Sequence, residues 1–350
     1  TAGGLRVGPE SAGAAPGPVC YRRGGVRPAV TDANVALARI DAQAFLGGGM
    51  PLDDAGAVAA IEAHVGKPLG LSPEAAAAGV LAVADARMAD AIRLSLFEKG
   101  ADPADFALAP FGGAGGLHAA ALADALDINR IIFPANASTL SARGILGADL
   151  RHDLARSRRL IANLDGAPAA VDALKALTAD LRAEAEAALN RDGVAPADQA
   201  FEFAADMRYR GQAYELVIPW GDVSPSLESL AELVERFHAE HARRFAHSDP
   251  ADQVEIATFR LAAIGRMPDP DFADVARPAS GTPTRSGSRR IWLDDAWNDT
   301  PIYQRDALGA GAAIAGPAVI EEAFTTLILP AGWRAEMHAS GDLLATRTAR

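Results

Sequence analysis

Residues 106–118 read Phe-Ala-Leu-Ala-Pro-Phe-Gly-Gly-Ala-Gly-Gly-Leu-His, an apolar run that stops at a cluster of glycines. The run 106–111 predicts a buried strand, and residues 117–126 carry a helical pattern. Strand, glycine turn and helix in that order bring backbone close to a ligand. Glycine has no Cβ to hold the ligand off, and the first N–H groups of a helix have no partner within it. The stretch is therefore the candidate ligand site, with a nucleotide as the expected occupant. A β-branched run follows at 130–133, and a further helix is expected over 138–150. Residues 106–150 thus predict strand–helix–strand–helix, which implies a parallel pair in an α/β sheet.

The turn is a poor dinucleotide fingerprint. Gly113 and Gly115 supply the first two glycines of G-x-G-x-x-G, but His118 stands in the third place and no acidic residue closes the next strand. It is not a P-loop, since no Gly-Lys-Ser/Thr follows. Gly112-Gly113-Ala114 resembles instead the strand-end turn that holds the adenosine of ATP in the actin, Hsp70 and sugar-kinase superfamily.

A length of 350 residues predicts two domains, with three possible. The net charge of −12 disfavours nucleic-acid or anionic-membrane partners, and no apolar run reaches the roughly 20 residues that cross a bilayer. Cys20 is the single cysteine, so no intrachain disulfide can form, which fits a cytoplasmic setting. The chain opens at Thr1 without methionine, within ordinary loop-and-strand sequence, and reads as a fragment or subunit of something longer.

Residues 1–30 are dense in Gly and Pro and predict surface loop, leading into a helix over 35–40 with Thr31 or Asp32 as its cap. Residues 53–64 form a short helix. Ser72-Pro73-Glu74 opens a longer one, whose stripe Val80, Leu81, Ala84, Met88, Ile92 and Leu96 runs up to Phe97. A strong helix covers 172–190. Strands at 201–209 and 213–219 flank Arg210-Gly211-Gln212 as a hairpin, followed by an amphipathic helix at 226–245 and a strand at 254–264. A Pro/Gly/Ser-rich loop is expected over 267–288, then short strands to the end.

Several residues admit a chemical and a structural role. Asp32 is either a helix cap or a carboxylate at a ligand site, with Thr31 and Asn34 beside it as further polar candidates. His118 is either a proton acceptor or a capping and packing residue. His238, His241 and His247 suggest metal, but without a Glu-x-x-His signature they read as solvated helix surface, and no metal site is expected. Cys20 is a nucleophile or a small buried residue. Arg208, Tyr209 and Gln212, polar within a strand pair, hint at an interdomain or subunit contact.

Wider motifs carry a resemblance. Gly8-Pro9-Glu10-Ser11-Ala12-Gly13, Pro16-Gly17-Pro18-Val19-Cys20-Tyr21, Val30-Thr31-Asp32-Ala33-Asn34 and Gly47-Gly48 occur in this order. Phe111-Gly112-Gly113-Ala114-Gly115, Leu117-His118-Ala119 and Ser141-Ala142-Arg143-Gly144 follow. Asp206-Met207-Arg208-Tyr209-Arg210-Gly211-Gln212 and Gly316-Pro317-Ala318-Val319-Ile320-Glu321 complete the series. Over nearly its whole length the chain resembles the A-type subunit of the ATP-dependent hydantoinase/5-oxoprolinase family.

That resemblance implies the later half of an actin-like ATPase core followed by a β-rich α+β domain. Residues 1–155 would be the partial hydantoinase A domain, with a helical insertion at about 50–100. A helical connection over 156–199 and a C-terminal domain over 200–350 would follow. It implies ATP-driven opening of a small cyclic amide such as a hydantoin or 5-oxoproline, with related subunits serving acetone and acetophenone carboxylases; the alternative from another class is a non-catalytic assembly module. Gly112, Gly113, Ala114 and Gly115 would hold the nucleotide, and Asp32 and His118 would be the catalytic candidates. Mg²⁺ and the triphosphate would be held mostly outside this chain, because the family's upstream Gly-Gly-Thr and Asp-Met-Gly-Gly-Thr segments are absent. A B-type hydantoinase subunit, or the protein's own N-terminal half, would complete an oligomer, and the isolated chain would be inactive. Gly116 stands where the family usually has Pro, which is expected to loosen the turn.

Overall fold

The computed structural model describes residues 4–268 and 282–348; most of the loop expected at 267–288 lies outside them. In chain order, helices α1 (Val30–Ala36), α2 (Asp54–Ile61), α3 (Lys67–Leu69), α4 (Pro73–Phe97) and α5 (Gly115–Ala125) precede strand β1 (Arg130–Phe133) and α6 (Leu140–Leu146). Then come β2 (Leu150–Ile161), α7 (Ala167–Arg191), β3 (Gln199–Tyr209), β4 (Leu216–Gly221), α8 (Leu227–Phe245) and β5 (Val254–Gly265). Seven short strands finish the chain: β6 (Gly287–Leu293), β7 (Ala296–Gln304), β8 (Ala313–Ala315), β9 (Ala318–Glu321), β10 (Thr326–Leu329), β11 (Trp333–Met337) and β12 (Leu343–Arg347).

These elements form two compact units, and the first is discontinuous: residues before 144 are joined by those beyond 271. Its strands make two sheets, ordered β1-β12-β11-β8 and β10-β9-β7-β6. Among the strand pairs of the described residues, β7 and β9 alone run parallel, with Ile302 opposite Val319. The α4 helix starts as its sequence demands, with Ser72 Oγ accepting the Ala75 N–H at 3.2 Å and Pro73 at the first position. Val80 and Leu81 are buried against α1, whereas Phe97 is 80% exposed, so the apolar stripe ends before the residue expected to close it.

Three expectations fail here for identifiable reasons. Residues 106–111 make no strand beyond one parallel bridge, Leu108 to Ile131, and both Phe106 and Phe111 are exposed. Pro110 has no N–H to give a ladder, and a tight turn at Pro103–Asp105 occupies the chain just before Phe106. The partner of β1 along its length is therefore not that segment. It is β12, antiparallel, with Arg130 opposite Thr346. The helix expected over 138–150 stops at Leu146, and Leu150 already begins β2, so residues 156–161 are strand rather than helical connection. Residues 200–350 are likewise divided between the two units, because β6–β12 pack with β1 and α5.

The second unit, residues 144–268 of the described chain, is one antiparallel sheet, β2-β5-β3-β4. The α7 and α8 helices pack on it around Leu181, Leu189, Phe203, Leu233, Phe237 and Phe259. The antiparallel hairpin forms, but β4 begins at Leu216 and not at 213, so the connection runs over 210–215; Ser226 caps α8 by accepting the Ser229 N–H at 3.1 Å.

Candidate functional site

The glycine turn rests on the strand that the last part of the chain supplies. Thr325 Oγ1 donates to the Gly113 carbonyl at 3.1 Å, and the Gly112 N–H donates to Ala137 O at 2.7 Å. At Gly116 the helix start lies so close to β10 that a Cβ would come within 2.3 Å of Leu327 Cδ2 and 2.7 Å of Thr326 O. Gly116 therefore lets α5 seat tightly on β10, rather than loosening the turn. The glycine turn leads into a helix as expected, but a loop precedes it instead of a strand.

Beside the turn lies a cavity of about 360 Å³. Gly113 and Leu117 form one side, residues 40–48 a second, and Gln304 with residues 321–326 a third. Phe45, Leu117 and Phe324 give it apolar surface, and Asp41, Glu321, Glu322 and Gln304 give it polar surface; no Lys, Arg or His lines it. Two arginines hold those carboxylates from outside the lining. Arg289 Nη1 donates to Glu321 at 2.8 Å and to Asp41 at 3.2 Å, while its Nε donates to Ala38 O at 3.0 Å. Arg305, fully buried, donates to Glu322 and to the carbonyls of Phe133 and Gly341. Two guanidinium groups behind the wall thus oppose three carboxylates on it, which leaves the cavity with apolar faces, hydrogen-bond acceptors and a net negative lining. Such a lining suits an uncharged, hydroxyl-bearing aromatic group and repels anions.

Of its two sequence readings Asp32 fits the helix cap, since it accepts the N–H of Ala29, the residue before α1. It is fully buried, and its two oxygens accept three backbone N–H groups: Cys20 at 2.8 Å, Val19 at 3.1 Å and Ala29 at 2.7 Å. It sits in the first turn of α1, which begins at Val30 rather than at 35. Asn34 donates to Val30 O at 3.1 Å and leaves Oδ1 buried without a partner; Thr31 stands beside the Tyr21 phenol. None of Thr31, Asp32 and Asn34 lines the cavity. Cys20 is buried, and burial together with the neighbouring Asp32 pushes its thiol far up, so it is a packing residue and not a nucleophile.

His118 also stays off the cavity wall, though it follows Leu117 directly. Its Nδ1 lies 2.6 Å from Asp85 Oδ1 on α4, and its Nε2 has no hydrogen-bond partner among the described residues. A carboxylate at Nδ1 makes that nitrogen the N–H donor and orients the ring. Asp85 carried no motif and could not have been found from spacing alone.

The histidines of α8 are not surface residues. His238 and His241 are 6% and 4% exposed. The Tyr209 hydroxyl accepts the Asp249 N–H at 2.8 Å and so donates to His238 Nδ1 at 2.7 Å. His241 Nδ1 donates to His247 O at 2.6 Å, and Gln212 reaches its Nε2 at 3.2 Å. Desolvation holds His238 below the usual imidazole range. Arg208 pairs with Glu215 and Glu255, and Asp206 with Arg260, so the motif expected at a contact surface is satisfied within its own unit. Among the described residues no group of three His, Cys, Asp or Glu is placed to hold a metal.

Two family models account for most of the chain, hydantoinase/oxoprolinase over residues 1–154 and the hydantoinase/oxoprolinase C-terminal domain over residues 162–341. The chain belongs to the hydantoinase/oxoprolinase family. It is 37% identical to the caprolactamase subunit alpha of Pseudomonas jessenii over 97% of its own length and 49% of that protein. The solved ATP-dependent caprolactamase of that organism matches with a TM-score of 0.78 at 35% identity, over 99% of this chain and 51% of that one. Nucleotide-free acetone carboxylase matches with a TM-score of 0.82 at 26% identity, over 99% and 50%. The hydantoinase/oxoprolinase chain thus spans about half the length of the relatives it matches. Its mixed α/β architecture with antiparallel sheets agrees with an actin-like ATPase-type fold plus a β-rich C-terminal domain.

Proposed function

We propose that this chain forms the nucleoside-binding part of a larger enzyme that uses ATP to hydrolyse a small cyclic amide. The carrying observation is the cavity beside Gly113, whose apolar faces fit a base and whose acceptors, Glu321 and Gln304 among them, fit ribose hydroxyls. When bound, ATP supplies a phosphoryl group that turns the unreactive amide oxygen into a leaving group, and water then attacks the carbon. His118 is the proton acceptor this chain offers, through Nε2, with Asp85 holding the ring. The cavity lining does not fit a triphosphate, and no Mg²⁺ ligands are assigned within the chain. An N-terminal half or a B-type subunit, in a cytoplasmic oligomer, would complete the site.

A second reading, subunit of a ketone carboxylase, is supported by the likeness to acetone carboxylase. Substrate-stimulated ATP hydrolysis by the complete protein separates the two. Stimulation by a lactam, hydantoin or 5-oxoproline is the expected result, and stimulation only by a ketone with bicarbonate selects the carboxylase. The absence of adenosine-nucleotide binding to the complete protein removes both.

A further inference from the structure

In a chain of net charge −12, residues 11–31 hold Arg22, Arg23 and Arg27 and no acidic residue. Burying a carboxylate costs several kcal/mol unless strong bonds compensate it. Asp32 is buried completely, and all three of its backbone bonds fasten the two ends of one surface loop, Val19 and Cys20 at the start and Ala29 at the finish. The loop is also packed on itself, since a Cβ at Gly25 would stand 2.2 Å from Gly17 O. What this rigid loop presents to solvent is Arg22, Arg23, Val26 and Arg27.

The arginines are weakly engaged. Arg22 pairs with Asp53 at 3.4 Å and Arg27 with Glu10 at 3.1 Å, with side chains 66% and 76% exposed. Arg23 donates to Met50 Sδ at 3.8 Å and makes no ion pair among the described residues. Exposed pairs of this kind contribute about 0–1 kcal/mol, so a doubly charged oxyanion offered two guanidinium forks displaces them readily. The loop also adjoins the cavity. The Tyr21 ring is 5.9 Å from that of Phe45, a cavity residue, and the Asp53 N–H donates to Cys20 O at 2.9 Å.

We propose that residues 22–27 form an anion-binding loop that takes phosphoryl oxygens beside a cavity with no cations of its own. This rests on reading the cavity as a nucleoside site. The phosphoryl oxygens can come from the tail of the bound nucleotide, or from phosphate released in turnover.

The test is equilibrium binding of adenosine, a non-hydrolysable ATP analogue and inorganic phosphate to the complete protein, wild type against Arg22→Gln/Arg23→Gln and Arg27→Gln. The positions are exposed, and thermal unfolding checks that the variants fold. At least tenfold weaker binding of the analogue, with adenosine unchanged, assigns the loop to the nucleotide tail. Loss confined to inorganic phosphate supports the loop with released phosphate as its ligand. Unchanged affinity for both overturns the proposal and leaves the nucleoside reading standing. Arginine-dependent phosphate binding in a protein that binds neither adenosine nor the analogue supports the loop and sinks the nucleoside reading instead.

Discussion

The cavity of the first unit and the Tyr209 cluster of the second are both polar, partly buried and built from motif residues. They differ in what is left over once their hydrogen bonds are counted. Around Tyr209 the polar groups answer one another within the cluster: His238 Nδ1 by the hydroxyl, His241 by His247 O and Gln212, and the Asp249 N–H by the same hydroxyl. In the cavity the carboxylates are paired with Arg289 and Arg305, which stand outside the lining, and their remaining acceptor capacity faces the cavity. A closed polar network rigidifies a fold; an open one can receive a ligand. The same distinction moves Asp32 from the second class to the first.

The largest effect is expected at Asp32. Asp32→Ala strands three backbone N–H groups, one buried and two part-buried, each worth about 1–3 kcal/mol, so a stability loss of about 3–5 kcal/mol should appear in urea unfolding. A variant stable to within 1 kcal/mol that no longer binds nucleotide would instead restore Asp32 to the ligand site. Tyr209→Phe removes one donor and one acceptor from the closed cluster and should lower stability by about 2 kcal/mol, with nucleotide binding unchanged. Gly113→Val should do the reverse. A Cβ there comes within 3.2 Å of Phe324 O at the cavity edge, and at least tenfold weaker nucleotide binding is expected with little change in Tm. Unaltered affinity in that variant would separate the glycine turn from the site.

The smallest effect is a pH slope. Burial lowers the His238 pKa despite the opposing charges of Glu235 and Asp249, with His241 acting in the same direction as burial. The folded chain therefore keeps His238 neutral at a pH where the unfolded chain, titrating near 6.5, has taken up a proton. This part of the stability is fully present above about pH 6.5 and falls as the pH drops below it, by no more than about 1.4 kcal/mol per pH unit. Urea unfolding between pH 7.5 and 5 measures it, and His238→Gln should flatten the slope. An unchanged slope would place the titrating group elsewhere.

Much of this was legible in the residues. Local signals located α4 through Ser72 and Pro73, α7 through its stop at Asp192-Gly193, and the β3–β4 hairpin through Arg210-Gly211-Gln212. The amphipathic helix expected at 226–245 is α8, which buries Leu230, Leu233, Val234 and Phe237 and leaves Leu227 exposed. What failed was whatever depends on distant partners. An apolar run at 106–111 has the composition of a strand, but whether it becomes one is decided by competition for β1, which β12 wins. The glycine turn was visible as a candidate, whereas Phe45, Gln304, Glu321, Phe324 and Thr325 become its neighbours only through the fold. His238 and His241 show the same limit. Spacing placed them on one helix face without revealing that the face is covered by Tyr209.

The bond between Thr325 and Gly113 joins residues 212 apart in the sequence. On a ribosome, where the chain emerges from its N-terminus, the residues of the second unit are complete well before the turn can be seated. Until β10 and β12 have been made, α5 and β1 wait with their apolar faces uncovered, which is a window for aggregation or for a chaperone. Premature termination after residue 320 would therefore do more than shorten the protein: it would release a chain whose second unit can be folded and whose ligand site has never formed.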